Sequence, residues 1–437
     1  MKPRYHAIPQ EVFDALGAGG GGPRATSVLA AAEHSKHALL LRGVASAASA
    51  AGAEQARFAR IGWEVLTEVE RQDYAVAARV TGYPAVGAWA AEALRALRTG
   101  ARAAEAVPAG LTAVAAAAAI RSGIDAEIPV LPVAGVVSLP SLGAARVNAD
   151  SAVVRSYPGG AEVRWAHGRV EIPSGGRGDA PGWLGIRSCH AEGLDAVIDD
   201  LDPFRMPAVD GLAPRLTARE AQDWRRALRQ GWQLLMAVQP AVGAEVAAVV
   251  AAIVPLSRST HGHLSSSSPD TFGAVAMSEP PDPDTCASTL THEVQHLKLC
   301  AVLDVVRLTL PDDGSRYYAP WRDDPRPIAG LLQGAYAYVG VTDFWRRRRQ
   351  SAADVARARA DSEFTLWRAG TTRAIDTLLS SSRLTTAGAD FVRSMSETAS
   401  SWMNDQVSAR ARAIARRQAE GHLARWELRY GPVPRLA

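Results

Sequence analysis

Two histidines four residues apart, His292 and His296, flank a glutamate, Glu293, in the stretch STLTHEVQHLKLCAVLDVV at 288–306. On a helix, positions i and i+4 share a face about one turn apart, so both imidazoles can reach one metal ion. Zinc held this way splits water, and the glutamate between the histidines then takes the water's proton. Iron(II) held by two histidines and a further group activates O₂ instead, and Glu293 then stands behind the metal or orients a substrate amide. Packing alone is a poor account of the pair, because unsatisfied imidazoles are costly on an apolar helix.

A third ligand would separate these chemistries. The position six residues past His296 is Val302, which breaks the metzincin pattern, and Asp304 lies twelve residues past His292, turned about 120° away on the same helix and so read as structural. The segment YYAPWRDDPRPIAGLLQGAYAYVGVTDFWRRRRQ at 317–350 is the better source. Its second half has helical periodicity from Ile328, and Gln333 lies where a thermolysin-like enzyme offers a glutamate. A neutral amide is an uncommon zinc ligand but a tolerable oxygen donor to iron(II), which weakens the peptidase reading. His261 and His263, in THGHLSSSSPD, are further candidates to complete the metal site or touch substrate.

The elements that must hold these residues follow from pattern. Leu290, Val294, Leu297, Ala301 and Leu308 form an apolar stripe at helical spacing, which predicts a buried helix through the histidines. Residues 1–125 read as a helical N-terminal region. Residues 126–212 alternate, with β-branched residues and Gly/Pro punctuation, and predict a β-rich insert or subdomain. Residues 213–437 read as the helical, metal-binding catalytic region, opened by a capping box at Thr217 and Glu220. The predicted class is mainly α with a small β-rich subdomain (α+β), its metal helix in the C-terminal half. The glycine-rich GAGGGG at 17–22 has no strand before it and no Gly-Lys-Ser/Thr after it, so it reads as a flexible loop and not a phosphate cradle.

The chain has 437 residues, 47% hydrophobic and 21% charged, enough for a large core and an enzyme. A formal charge of +3, from 48 basic and 45 acidic residues, argues against nucleic-acid binding by phosphate neutralisation. Cys189, Cys286 and Cys300 are too few and scattered for a disulfide framework and fit a reducing cytoplasm. The N-terminus carries prolines and charges where a signal peptide needs an apolar core, and the alanine-rich run at 106–123 is too short and too weakly apolar for a membrane span.

Taken together, LTHEVQHLKLCAVLDVVRL, YYAPWRDDPRPIAGLLQGAYAYVGVTDFW and the opening IPQEVFDALGAGGGG and EHSKHALLLRGV resemble the His-Glu-x-x-His peptide-modification proteins of ribosomal peptide natural-product biosynthesis, which are 2-oxoglutarate-dependent peptide β-hydroxylases. The resemblance covers most of the chain. It implies iron(II) on His292 and His296, with Gln333 as the candidate third ligand, and 2-oxoglutarate and O₂ as cosubstrates. Its substrate would be a ribosomal precursor peptide, hydroxylated at a side-chain β-carbon.

The distal carboxylate of 2-oxoglutarate needs a bidentate cation, for which Arg322 and Arg326 are candidates; the alternative is that they pair with Asp323 or Asp324 to staple a loop. Tyr318 is the candidate aromatic wall of that pocket. Arg346–Arg349 reads as a solvated surface, or as an attractor of an acidic precursor. Two other functions stay open: a zinc metallopeptidase with Glu293 as general base, and a non-catalytic peptide-binding scaffold that kept the helix for stability.

Overall fold

The computed structural model describes residues 5–100, 109–207, 209–258 and 262–433. Thirteen α-helices and twelve short strands make up the described chain. They fall into two discontinuous compact units, the first of residues 1–32, 227–249 and 280–437, the second of 33–226 and 250–279. The boundaries drawn at 125 and 212 from sequence texture do not coincide with these units.

The first unit is helical and carries the histidines. Their helix, Pro283–Val305, starts where Asp282 accepts a hydrogen bond from Thr285 N at 2.8 Å, with proline in the first turn. Nearly every side of it is buried, so its hydrophobicity is spread around the helix and not confined to one face. Leu308 is buried as predicted, but it lies beyond the end of this helix. Helix Ile328–Ser351 packs along the histidine helix and against Asp354–Ser380, which in turn packs on Thr386–Ser401 and Ala409–Tyr430.

The four arginines 346–349 end the Ile328–Ser351 helix in ion pairs; Arg347 is exposed and the other three are partly buried. Arg346 meets Asp405 at 2.8 Å, Arg347 meets Asp343 at 2.7 Å, Arg348 meets Asp284 at 2.5 Å and Arg349 meets Asp361 at 2.7 Å. Asp284 and Asp361 come from other helices of the unit, Asp405 from the segment between its last two helices and Asp343 from the same helix, so each arginine has a carboxylate partner. The glycine-rich segment is likewise no slack loop: Gln295 Nε2 donates to Gly19 O at 2.7 Å, and Lys298 Nζ donates to Gly20 O at 3.1 Å. Gly19 has φ +88° and an added Cβ would stand 2.7 Å from Val339 Cγ1, so only glycine fits there.

The second unit holds the strands. Ala126–Val130, Ala152–Tyr157, Gly160–Trp165 and Gly168–Ile172 form an antiparallel sheet in that order, and Val136–Leu139, Gly143–Arg146 and Trp183–Gly185 form a smaller one. A third, mixed sheet orders Ser265–Ser266, Ala274–Ser278, Ala252–Leu256, Leu194–Ile198 and Arg187–Ala191. Its strands at 252–278 lie in a region expected to be helix and loop. AIVPL and AVAMS are buried at every position and paired in parallel, and such strands lack the alternation that betrays a half-exposed one.

The alanine-rich run forms helix Ala109–Ser122, whose Ala115–Ala119 are fully buried in the core of this unit. No described helix is long and apolar enough to cross a membrane. The capping box forms as read, with Glu220 N donating to Thr217 Oγ1 at 3.2 Å and Thr217 N to Glu220 Oε2 at 2.7 Å.

Asp202 lies in the same unit, where burial and then the neighbouring Asp199 push its carboxyl up to about 7. An unfolded aspartate titrates near 4, so between about pH 4 and pH 7 the folded state holds a proton that the unfolded state has released. Stability therefore falls as pH rises through that window, by about 1.4 kcal/mol for each unit of separation. Asp202→Asn has no such proton to lose. The difference in urea unfolding free energy between variant and parent is expected to shift in the variant's favour from pH 5 to pH 7, and a difference constant with pH would refute this.

Candidate metal centre

One turn of the Pro283–Val305 helix separates His292 from His296 and brings their Nε2 atoms to 3.0 Å. At metal–nitrogen distances of about 2.0–2.1 Å, two imidazoles at a right angle stand ~3 Å apart, and at the tetrahedral angle ~3.4 Å. The pair is therefore spaced for one ion. The same spacing suits a single N–H···N bond, so the rings can share either a proton or a metal.

Gln333, on helix Ile328–Ser351, places Oε1 3.1 Å from His296 Nδ1, and its Nε2 lies 3.6 Å from Cys300 Sγ. An amide oxygen only accepts, so His296 Nδ1 carries the proton and Nε2 presents a lone pair towards His292. The two ring nitrogens point apart, which puts Gln333 behind His296 and off the shared face. That is where a group orienting a metal-binding histidine sits, and it differs from the ligand position expected from sequence.

Burial, and then repulsion from His296 whenever that ring is protonated, hold the His292 imidazolium well below the ordinary histidine range. The ring is therefore neutral near pH 7, as a ligand must be. Glu293 is 1% exposed, with Oε1 4.0 Å from His292 Nε2, and its Oε2 is buried without a hydrogen-bond partner. A native fold rarely leaves a buried carboxylate oxygen unsatisfied, and an ion or water is the usual partner.

Aromatic rings close the site on one side. Tyr338 lies edge-on to His292 at 5.3 Å between centroids, Trp321 stacks on Tyr338 at 4.6 Å, and Trp367 leans on it at 4.4 Å. Gly334 makes room for Trp321, since an added Cβ would come within 2.3 Å of the indole nitrogen. Behind this layer Trp367 Nε1 donates to Glu363 Oε2 at 2.7 Å. Burial raises the Glu363 carboxyl, and burial followed by the Glu363 and Glu293 charges raises the Tyr338 phenol, so the tyrosine stays protonated and neutral.

The remaining predicted residues are placed elsewhere. Arg322 Nε and Arg326 Nη1 both bond to Asp324, at 2.8 and 3.0 Å, within a loop closed by backbone bonds between Tyr317 and Arg326. These contacts are those of the loop-staple alternative. Tyr318 donates or accepts at His422 Nδ1, 2.8 Å away, and packs against Trp426. His263 belongs to the second unit, where Nδ1 meets Ser278 Oγ at 3.1 Å; His261 lies outside the described residues. Asp304 is exposed at the helix end.

Among the described residues no group of three or more His, Cys, Asp and Glu side chains is arranged to hold a metal ion. Sequence reasoning missed Tyr338, Trp367 and Glu363. Tyr338 stands on the helix already singled out for Gln333, whereas Glu363 and Trp367 carry only an i, i+4 spacing typical of any helix. No family model and no curated protein matches the chain.

Proposed function

We propose that the chain is an iron(II)- and 2-oxoglutarate-dependent hydroxylase acting on a side-chain β-carbon of a ribosomally made peptide. The observation that carries this reading is the pair of Nε2 atoms 3.0 Å apart, with Gln333 on the far nitrogen of His296. His292 and His296 would hold the metal, and Gln333 would fix the His296 tautomer. The unpartnered Oε2 of Glu293 would hold a proton or a water beside it. When bound, iron(II) would let O₂ act as the oxidant, one oxygen atom going to the peptide carbon and the other to 2-oxoglutarate, which leaves as succinate and CO₂. Tyr338, Trp321 and Trp367 exclude water from the histidine face. The family resemblance of the motif and of the 317–345 segment supports the choice of metal and cosubstrate.

The donor set supports the same choice over a zinc hydrolase. Two imidazoles alone make a weak site, and a chelating cosubstrate adds the oxygen donors that the protein lacks. Iron(II) is therefore expected to bind more tightly when 2-oxoglutarate is present, because coupling between two ligands is reciprocal. The test is anaerobic equilibrium binding of iron(II) with and without 2-oxoglutarate, followed by admission of O₂ and assay for succinate. Iron affinity indifferent to 2-oxoglutarate, with no succinate above a His292→Ala/His296→Ala control, would overturn the proposal. Peptide cleavage by zinc-loaded protein would put the metallopeptidase in its place.

Gln333→Leu separates an orienting role from a ligand role. It is expected to keep one iron per chain while weakening affinity by about ten- to hundredfold, the usual cost of losing a contact to a ligating histidine. Complete loss of stoichiometric iron in that variant would restore Gln333 as a ligand.

A further inference from the structure

A cavity of about 560 Å³ in the second unit lies between two helix ends and two turns of the β-rich region. Helix Tyr74–Thr81 brings Arg79 to it and helix Ala109–Ser122 brings Arg121, each from its last turn. The Gly159–Gly160 turn and the Ser174–Gly175 turn form other parts of its wall. We propose that this cleft binds a small organic oxyanion carrying two or more negative charges, gripped by Arg79 and Arg121.

Arg121 carries a charge that no described carboxylate pairs with. The Arg121 guanidinium is partly buried and bonds only to neutral acceptors, Nε to Ser141 Oγ at 3.0 Å and Nη2 to Ser141 O at 2.6 Å. Burial and then the positive charge of Arg79 lower its affinity for its own proton, with Arg177 adding to this and Tyr83 and Asp195 opposing it. Two acids are near without pairing with it: Asp73, part of the cavity wall, caps a helix by accepting from Val76 N at 3.0 Å, and Asp195, whose charge favours the Arg121 cation, bonds to His190 at 2.9 Å. Among the described residues no carboxylate forms an ion pair with Arg79, Arg121 or Arg177.

Each arginine also favours the negative end of its own helix, but that does not require both to face one cleft. A half-buried cation is costly unless paired, and two guanidinium forks on one cavity suit a planar or tetrahedral oxyanion. The volume lies within the range of small-molecule sites, and it exceeds what inorganic phosphate alone would fill. Phosphate esters and polycarboxylates share this chemistry. The site belongs to the second unit and the histidine pair to the first, and the proposal does not rest on the hydroxylase reading.

Isothermal titration of the full chain with pyrophosphate and, separately, with tricarballylate tests it and identifies which oxyanion is preferred. At least one is expected to bind with one-to-one stoichiometry, equally well to the parent and to the His292→Ala/His296→Ala variant. Arg79→Gln removes an exposed side chain that bonds to nothing described, so it should leave the melting temperature unchanged while weakening binding by about tenfold or more. Arg121→Lys, which keeps the charge and loses the fork, should weaken it as well. Failure of both anions to bind, binding that vanishes with the histidines, or binding indifferent to Arg79→Gln each overturns the proposal.

Discussion

Alanine at His292 or at His296 is expected to abolish stoichiometric iron(II) and reduce succinate formation by more than about a hundredfold. Loss of a group that merely supports a ligand costs ten- to hundredfold, and in the proposed site these variants would remove one of the two imidazole donors. The effects should not add: either single variant should lose as much as the double, because one imidazole is no site. Chelator treatment of the parent should have the same consequence, reversed by iron(II) and not by zinc. If the two rings do no more than share a proton, each substitution changes stability alone and metal analysis of parent and variant agrees. Parent-level iron in purified His296→Ala would end the metal reading.

The features legible in the sequence were those with a local cause. His292 and His296 are four apart on a helix, and that spacing alone puts both rings on one face; Thr217 and Glu220 cap a helix through three residues of chain. What stayed hidden depends on packing between distant segments. Arg322 and Arg326 were equally plausible as cosubstrate grips and as partners of a neighbouring aspartate, and both take Asp324. The strand AVAMS has no exposed face, so no polar residue marks its period. Arg346–Arg349 reads as solvated because two of the aspartates that meet it, Asp284 and Asp405, lie about sixty residues away and reach it only through packing. Gln333 could be chosen from its position on a helix, but which nitrogen of His296 it meets depends on how two helices pack.

Removing Lys298 is expected to cost the fold heavily. It lies two positions past His296, is fully buried, and its ammonium meets Glu245 Oε2 at 2.6 Å and Gly20 O at 3.1 Å. The other Glu245 oxygen accepts from Gly22 N at 2.7 Å, so both charges are satisfied. Burial lowers the lysine's proton affinity and Glu245 opposes that. Lys298→Ala leaves a carboxylate buried with a single backbone donor, at a cost of about 3–5 kcal/mol, and Glu245→Ala leaves the ammonium among carbonyls at a comparable cost. Lys298→Met combined with Glu245→Leu removes both charges and keeps the volume, so it should lose less than either single change even though two glycine backbone groups lose partners. Urea midpoints of the four proteins decide this. Because the pair ties the glycine-rich segment to the histidine helix and touches neither imidazole, Lys298→Ala that remains folded below its midpoint should bind iron as the parent does. Unchanged midpoints in both alanine variants would show that the pair contributes nothing to the fold.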